Sequence, residues 1–386
     1  MQLFRGIQRL SPTAQLLRNM SSGAERTVIC EDISKDKGLI TLNRPKALNA
    51  INLDMVRQIS AAMKGWRDTK NLVIIKGAGE KSFCAGGDVR AVTENGPTES
   101  SKAFFREEYR LNELISSYRP EYVALIDGIT MGGGVGLSVH GKYRVATERT
   151  MFAMPETAIG LFPDVGGSFF LPRLQGKLGL YLGLTGFRLK GKDVLKAGVA
   201  THYVDSKDIE ALQQALFATN NSTEVANVLE KFNVKDNSEF ILAKHLKQIN
   251  ECFSGETIEA IISNLNKDGS DWAKSTLNTL SKMSPTSLKV TKKQLEIGAT
   301  LNLRSCLKME FRMAVHSVTD SDFKEGVRAM LVDRDNNPKW NPATLNDVNS
   351  QQVDRFFGPL PCGDELVFED EIKANLYCRW THNCHM

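Results

Sequence analysis

No run of 18 or more apolar residues occurs in the 386-residue chain, so no membrane-spanning helix is predicted. Cysteine is sparse. The seven residues Cys30, Cys84, Cys252, Cys306, Cys362, Cys378 and Cys384 are odd in number and scattered, which excludes a disulfide framework. A dominant charge is also missing. Arg5, Arg9 and Arg18 precede the first acid, Glu25, and removing them from the 49 basic residues leaves 46 against 45 acids. That balance excludes recognition through a large basic surface, so no nucleic-acid partner is expected. Neither GxGxxG, GxxxxGK[ST] nor Gly-x-Ser-x-Gly is present, which removes the common phosphate-loop and serine-elbow fingerprints. What remains is ordinary globular composition, 41% apolar and 24% charged, with ample material for a core.

The first 24 residues lack acids altogether. Leu3, Phe4, Ile7 and Leu10 recur at helical spacing, Arg5 and Arg9 lie clear of them, and Ser11, Thr13, Ser21 and Ser22 supply hydroxyls. That is the composition of a mitochondrial transit peptide, and it predicts a matrix location with the fold beginning near Arg26. A disordered basic tail is the competing reading. At the other end, Cys378, His382, Cys384 and His385 are metal-capable, but their spacing matches no common zinc pattern. A solvated tail is expected there.

Between these ends, apolar strands alternate with helical stretches. Gly38–Leu42, Asn71–Ile75, Glu121–Ile126 and Tyr143–Ala146 read as strands, and Leu53–Trp66 reads as a helix with Met55, Ile59, Met63 and Trp66 on one face. Buried strands separated by helices predict an α/β fold with a largely parallel sheet. From about Asp208 the periodicity turns helical, at Ile209–Phe217, Thr223–Phe232, Thr257–Leu265 and after Ser284-Pro285. The expected organisation is a leader at 1–24, a core at 25–207, a docked helical region at 208–350 and a tail of unassigned structure at 351–386.

Two glycine-rich turns follow strands: Phe83-Cys84-Ala85-Gly86-Gly87-Asp88, and Gly128 through Gly136. Consecutive glycines let the backbone approach a ligand and present N–H groups. Two such groups aimed at one carbonyl oxygen form an oxyanion hole. A phosphate cradle and simple close packing of helix on sheet are the other readings. Four acids accompany the loops. Glu156 and Asp164 interrupt apolar, Pro/Gly-rich sequence, where partial desolvation would raise their pKa values and suit acid–base work. Their plainer roles are a helix cap and a turn residue. Steps of 100° along Ser101–Tyr118 put Glu108 amid the apolar stripe and Glu107 at its edge, so Glu108 needs a cation or a purpose. Cys84 reads as packing rather than a nucleophile, and His140 as the cap of an apolar helix.

Taken in order, Leu42-Asn-Arg-Pro-Lys-Ala-Leu-Asn49-Ala-Ile, Phe83–Asp88, Ile129-Thr-Met-Gly-Gly-Gly134 and Pro155-Glu156 resemble the crotonase (enoyl-CoA hydratase/isomerase) superfamily over roughly residues 30–205. The resemblance implies a spiral of repeated ββα units, an acyl-CoA substrate and self-association into trimers or dimers of trimers. It assigns the oxyanion-hole donors to the N–H groups of Gly87 and Gly133, places Ala85 in the substrate-binding loop, and sets Lys46, Ala47 and Leu48 against the adenine end of CoA. Hydratases of the superfamily carry a glutamate shortly after the triple glycine; here that position is Gly136. Phe105–Tyr109, Gly160–Gly167 and Glu325–Arg328 through Trp340 instead resemble the superfamily's 3-hydroxyisobutyryl-CoA hydrolase branch.

That branch implies thioester hydrolysis in valine breakdown, without metal or redox cofactor. Glu156 would attack the thioester or activate water, Asp164 would bind the substrate hydroxyl or assist proton transfer, and Glu108 would complete the acyl pocket. Restoring a glutamate at position 136 is expected to bring weak hydratase activity. Water addition or isomerisation on the same fold, a non-catalytic binding or scaffold role such as RNA binding, and acyl transfer to another thiol are the alternatives.

Overall fold

The computed structural model describes residues 26–372. The leader and the Cys/His tail lie outside the described residues. Ten strands form two sheets. The first has the order β1-β2-β3-β5-β7-β10, from Val28–Ser34, Lys37–Leu42, Leu72–Gly77, Glu121–Ile126, Tyr143–Ala146 and His202–Tyr203. β1 and β2 are antiparallel, and every other pairing in that sheet is parallel. The second sheet holds β4 (Ser82–Cys84), β6 (Ile129–Met131), β8 (Met151–Ala153) and β9 (Leu189–Lys190). Each of β3, β5 and β7 thus turns sharply into a partner strand in the other sheet, and this is the expected repeat of paired strands.

Helices fill the returns: α1 (Leu53–Trp66), α2 (Val89–Asn95), α3 (Glu99–Ser116) and α4 (Gly133–Val139). β3 shows why its run is continuously apolar. Side chains alternate across a strand, so Val73 and Ile75 join the main core with Met55 and Ile59 of α1. Leu72 and Ile74 join a second cluster with Leu212, Leu216, Val225 and Leu229 from the helices Ile209–Phe217 and Ser222–Phe232. Both faces are covered, as parallel sheets require.

The apolar-run strands and α1 occur where the sequence places them. So does the helix after Ser284: the Ser284 side chain caps Pro285–Gly298 by accepting from the Ser287 N–H. The short strands β4, β6 and β8 carry no periodic signal of their own. The stretch after residue 350 has structure as far as Ile372. A capping box opens the helix Ser350–Arg355, Leu366 and Phe368 are buried, and Glu365 pairs with Arg312.

Candidate active site

Strand pairing assembles the site. β4 runs parallel to β6, and β6 parallel to β8. The three therefore leave the sheet at one end, where α/β folds place their ligands. β4 runs into Ala85-Gly86-Gly87, β6 into Gly132-Gly133, and β8 into Met154-Pro155-Glu156. The first loop is pinned by Ile51, whose N–H donates to Gly86 O and whose carbonyl accepts from the Asp88 N–H. Ala85 is tied to the Lys46–Leu48 turn by its N–H to Leu48 O. Asn49 supports that turn with donations to Ala78 O and Ser82 O.

The glycines face a common point. A Cβ on Gly133 would lie 2.7 Å from Glu108 Oε1 and 3.2 Å from the Gly87 nitrogen, and one on Gly132 would lie 3.0 Å from Glu156 Oε1. Among the described residues the Gly87 and Gly133 N–H groups have no protein acceptor. Two free N–H groups beside two carboxyls are able to stabilise a carbonyl oxygen that gains charge. Gly134 has another reason to be glycine, since its Cβ would sit 2.2 Å from Cys84 O. Close packing therefore explains Gly134, a φ of +45° explains Gly132, and the nearness of Glu108 explains Gly133.

The acids divide cleanly. Glu107 takes a two-pronged contact from Arg57 at the surface. Glu108, Glu156 and Asp164 are buried. Glu108 Oε1 and Glu156 Oε2 have no hydrogen-bond partner. Asp164 Oδ2 accepts from the Tyr109 hydroxyl at 2.9 Å. Burial pushes the Glu108 carboxyl well above the usual range, with Asp164 adding to it. Burial does the same to Glu156, with Asp164 and then Glu108 contributing. Asp164 is raised by burial to about 7, against the pull of the Tyr109 hydrogen bond. Among the described residues no cation acts on any of the three, so Glu108 is not half of an ion pair there. Repulsion and desolvation leave the cluster with less than its full negative charge near neutrality.

Other candidates settle into structural roles. Cys84 is fully buried with its thiol raised to about 12, which leaves no thiolate to attack. His140 caps α4 and makes a 2.7 Å contact from Nε2 to Val165 O. Lys46, Pro45 and Asn49 help line a surface pocket of about 410 Å³ with Ala78–Ser82. Gly136 is hemmed in. Its Cβ would lie 2.7 Å from both Asn112 Nδ2 and Val165 Cβ, so a glutamate there has no room. Tyr109, Asn112 and Glu310 join this neighbourhood without having been singled out from the sequence. The period that buries Glu108 also buries Asn112 one turn on, which was the available signal.

The family model described as enoyl-CoA hydratase/isomerase matches residues 37–357. A Danio rerio protein named "3-hydroxyisobutyryl-CoA hydrolase, mitochondrial" is 52% identical over 93% of this chain and 97% of its own length. The Homo sapiens protein of that name is 51% identical, over 88% and 92%. Among solved structures, a carnitinyl-CoA dehydratase from Mycobacterium thermoresistibile superposes with a TM-score of 0.84 at 37% identity, covering 90% of this chain and all of that one. An enoyl-CoA hydratase from Rhodobacter sphaeroides gives 0.79 at 34%, over 89% of this chain and all of that one. With two parallel-strand loops, a buried acid cluster and these relatives in agreement, the chain belongs to the enoyl-CoA hydratase/isomerase family.

Proposed function

We propose that the protein hydrolyses 3-hydroxyisobutyryl-CoA to CoA and 3-hydroxyisobutyrate, in mitochondrial valine catabolism, and acts on 3-hydroxypropionyl-CoA by the same chemistry. The approach of Gly133 to the Gly87 nitrogen, with Glu108 beside Gly133 and Glu156 beside Gly132, carries the reading. Relatives at about half identity bear the hydrolase name and the word mitochondrial.

The thioester carbonyl oxygen is held by the Gly87 and Gly133 N–H groups. A Glu156 oxygen adds to the carbonyl carbon, and the two N–H groups take up the resulting negative charge. The tetrahedral species collapses with loss of the C–S bond. CoA leaves as a thiolate that takes a proton from solvent, a proton the water cleaving the anhydride later returns, and an acyl–Glu156 anhydride remains. Water then cleaves the anhydride, giving the hydroxy acid and restoring Glu156. Glu156 acting as general base toward water is the single-step variant. Asp164 binds the 3-hydroxyl, and Glu108 closes the acyl pocket. The adenine end of CoA lies along Lys46, Ala47 and Leu48, beside the 410 Å³ pocket. The protein works as a homo-oligomer and takes neither metal nor redox cofactor.

The hydratase reading is disfavoured by the filled space at Gly136. The deciding experiment is thiol release from 3-hydroxyisobutyryl-, 3-hydroxypropionyl-, crotonyl- and acetyl-CoA. Release from the hydroxyacyl thioesters above the others supports the proposal. Loss of enoyl absorbance from crotonyl-CoA without thiol release overturns it in favour of water addition. Release that needs an added acceptor thiol identifies a transferase.

A further inference from the structure

Asp164 stands at the start of a strained turn that is held from outside the repeat core. Val165, next in the chain, has φ +51°, the left-handed region that β-branched residues avoid. Such a conformation persists only where its surroundings fix it. Here they do so on every side. Gln294 Nε2 donates to Pro163 O at 2.7 Å. Val165 O is met by His140 Nε2 at 2.7 Å. Burial lowers the His140 pKa to about 4, so the ring is neutral. A carbonyl can only accept, so Nε2 is the nitrogen that carries the hydrogen.

The strongest hold is Glu310, from the helix Leu303–Thr319. Its Oε2 accepts from the Gly166 N–H at 2.7 Å and its Oε1 from the Ser168 N–H at 2.9 Å, and the Ser168 hydroxyl also donates to Oε1. Glu310 is 0% exposed. A buried carboxyl is costly unless its oxygens are satisfied, and this one is satisfied by the backbone that follows Asp164. The two N–H groups straddle one residue, Gly167, so a two-oxygen acceptor locks the turn in rotation as well as in position. Asp164 lies two residues before Gly166 and is steadied on its side-chain end by Tyr109.

We propose that Glu310 is a positioning residue for the reaction: its two oxygens lock the Gly166 and Ser168 N–H groups and so aim the Asp164 carboxyl at the acyl chain of the substrate. The proposal rests on the reading of the site as a thioester hydrolase. It makes the C-terminal helices part of the catalytic apparatus, since Gln294 and Glu310 both come from them.

The test compares full-length wild type, Glu310→Gln and Ser168→Ala in thiol release from 3-hydroxyisobutyryl-CoA and acetyl-CoA, with thermal melting alongside. Glu310→Gln keeps the shape but turns an NH₂ toward one of the two N–H donors. Misplacing a reacting group by about 1 Å costs about 10²-fold, so kcat on the hydroxyacyl substrate should fall by about that factor. KM should stay near wild type, and the preference for hydroxyacyl over acetyl thioester should shrink. Ser168→Ala keeps both N–H contacts and should shift the same ratio less, and it is the variant to read should Glu310→Gln not fold. A folded variant with lowered melting temperature but wild-type kcat and wild-type substrate preference overturns the proposal and leaves Glu310 a purely structural group. A wild type that releases no thiol overturns the hydrolase reading instead.

Discussion

The Tyr109 hydroxyl donates to Asp164 Oδ2 at 2.9 Å, and burial raises the Asp164 carboxyl to about 7. The hydrogen bond favours the anion, whereas burial favours the acid. Tyr109→Phe removes the first influence and keeps the second, so the Asp164 pKa should rise. Hydrogen bonds to charged groups contribute about 1.5–3 kcal/mol, or about one to two pH units. The acid limb of thiol release on the hydroxyacyl substrate should move to higher pH by that amount. An unmoved limb would show that Asp164 does not work as an anion.

Glu156→Gln is nearly isosteric and removes the attacking or proton-accepting oxygen. Thiol release should collapse while CoA-thioester binding, followed by calorimetry, survives. Retention of near-wild-type turnover would exclude Glu156 from the chemistry.

Gly133→Pro deletes one N–H donor. Loss of a single oxyanion-hole donor costs about 10²–10³ in kcat. Circular dichroism must accompany the rates, because Gly133 opens α4 and its neighbour Gly134 is packed against Cys84. A well-folded variant with normal kcat would remove Gly133 from the hole.

Gly136→Glu reverses the expectation drawn from sequence. A new side chain there meets Asn112 and Val165 at 2.7 Å. Overpacking of this kind destabilises by about 1–3 kcal/mol. The variant should melt earlier and gain no hydratase activity, read as unchanged enoyl absorbance of crotonyl-CoA. Appearance of hydratase turnover would mean that α3 and the Asp164 turn yield more readily than their packing implies.

Stability should depend on pH with a defined sign. Glu108, Glu156, Asp164 and Glu310 all have raised pKa values, Glu310 reaching about 8 through burial. For acids raised on folding, the stabilisation is whole below the unfolded value, about 4, and is lost as pH rises through the folded one. Exposed acids are already ionised above pH 6, so between about pH 6 and pH 9 the melting temperature should fall. Asp164→Asn should flatten that slope, and a slope that is flat in wild type would contradict the raised values.

Much of this site was legible before the fold was known, and the reasons are local. The 100° step separates Glu108 from Glu107, and the structure places one in the acid cluster and the other on Arg57. β3 and β5 announce themselves by apolar runs that two covered faces demand. β4, β6 and β8 do not, because three residues cannot display a period; only pairing defines them. Glu310 was invisible for a different reason. Its partners, Gly166 and Ser168, lie more than 140 positions away, and nothing in a lone helical glutamate points to them. Adjacent glycines also look alike in sequence, although Gly133 faces the acids and Gly134 faces Cys84 O.

On the proposed reading, the charge-stabilising half of the site is made of peptide N–H groups and is written in no side chain. Ordinary substitutions leave Gly87 and Gly133 able to donate, so drift can reshape the surrounding acids while the carbonyl-polarising device is inherited intact. New thioester chemistries on this scaffold should be sought at positions 108, 136, 156 and 164, the three buried acids and the enclosed glycine of this neighbourhood.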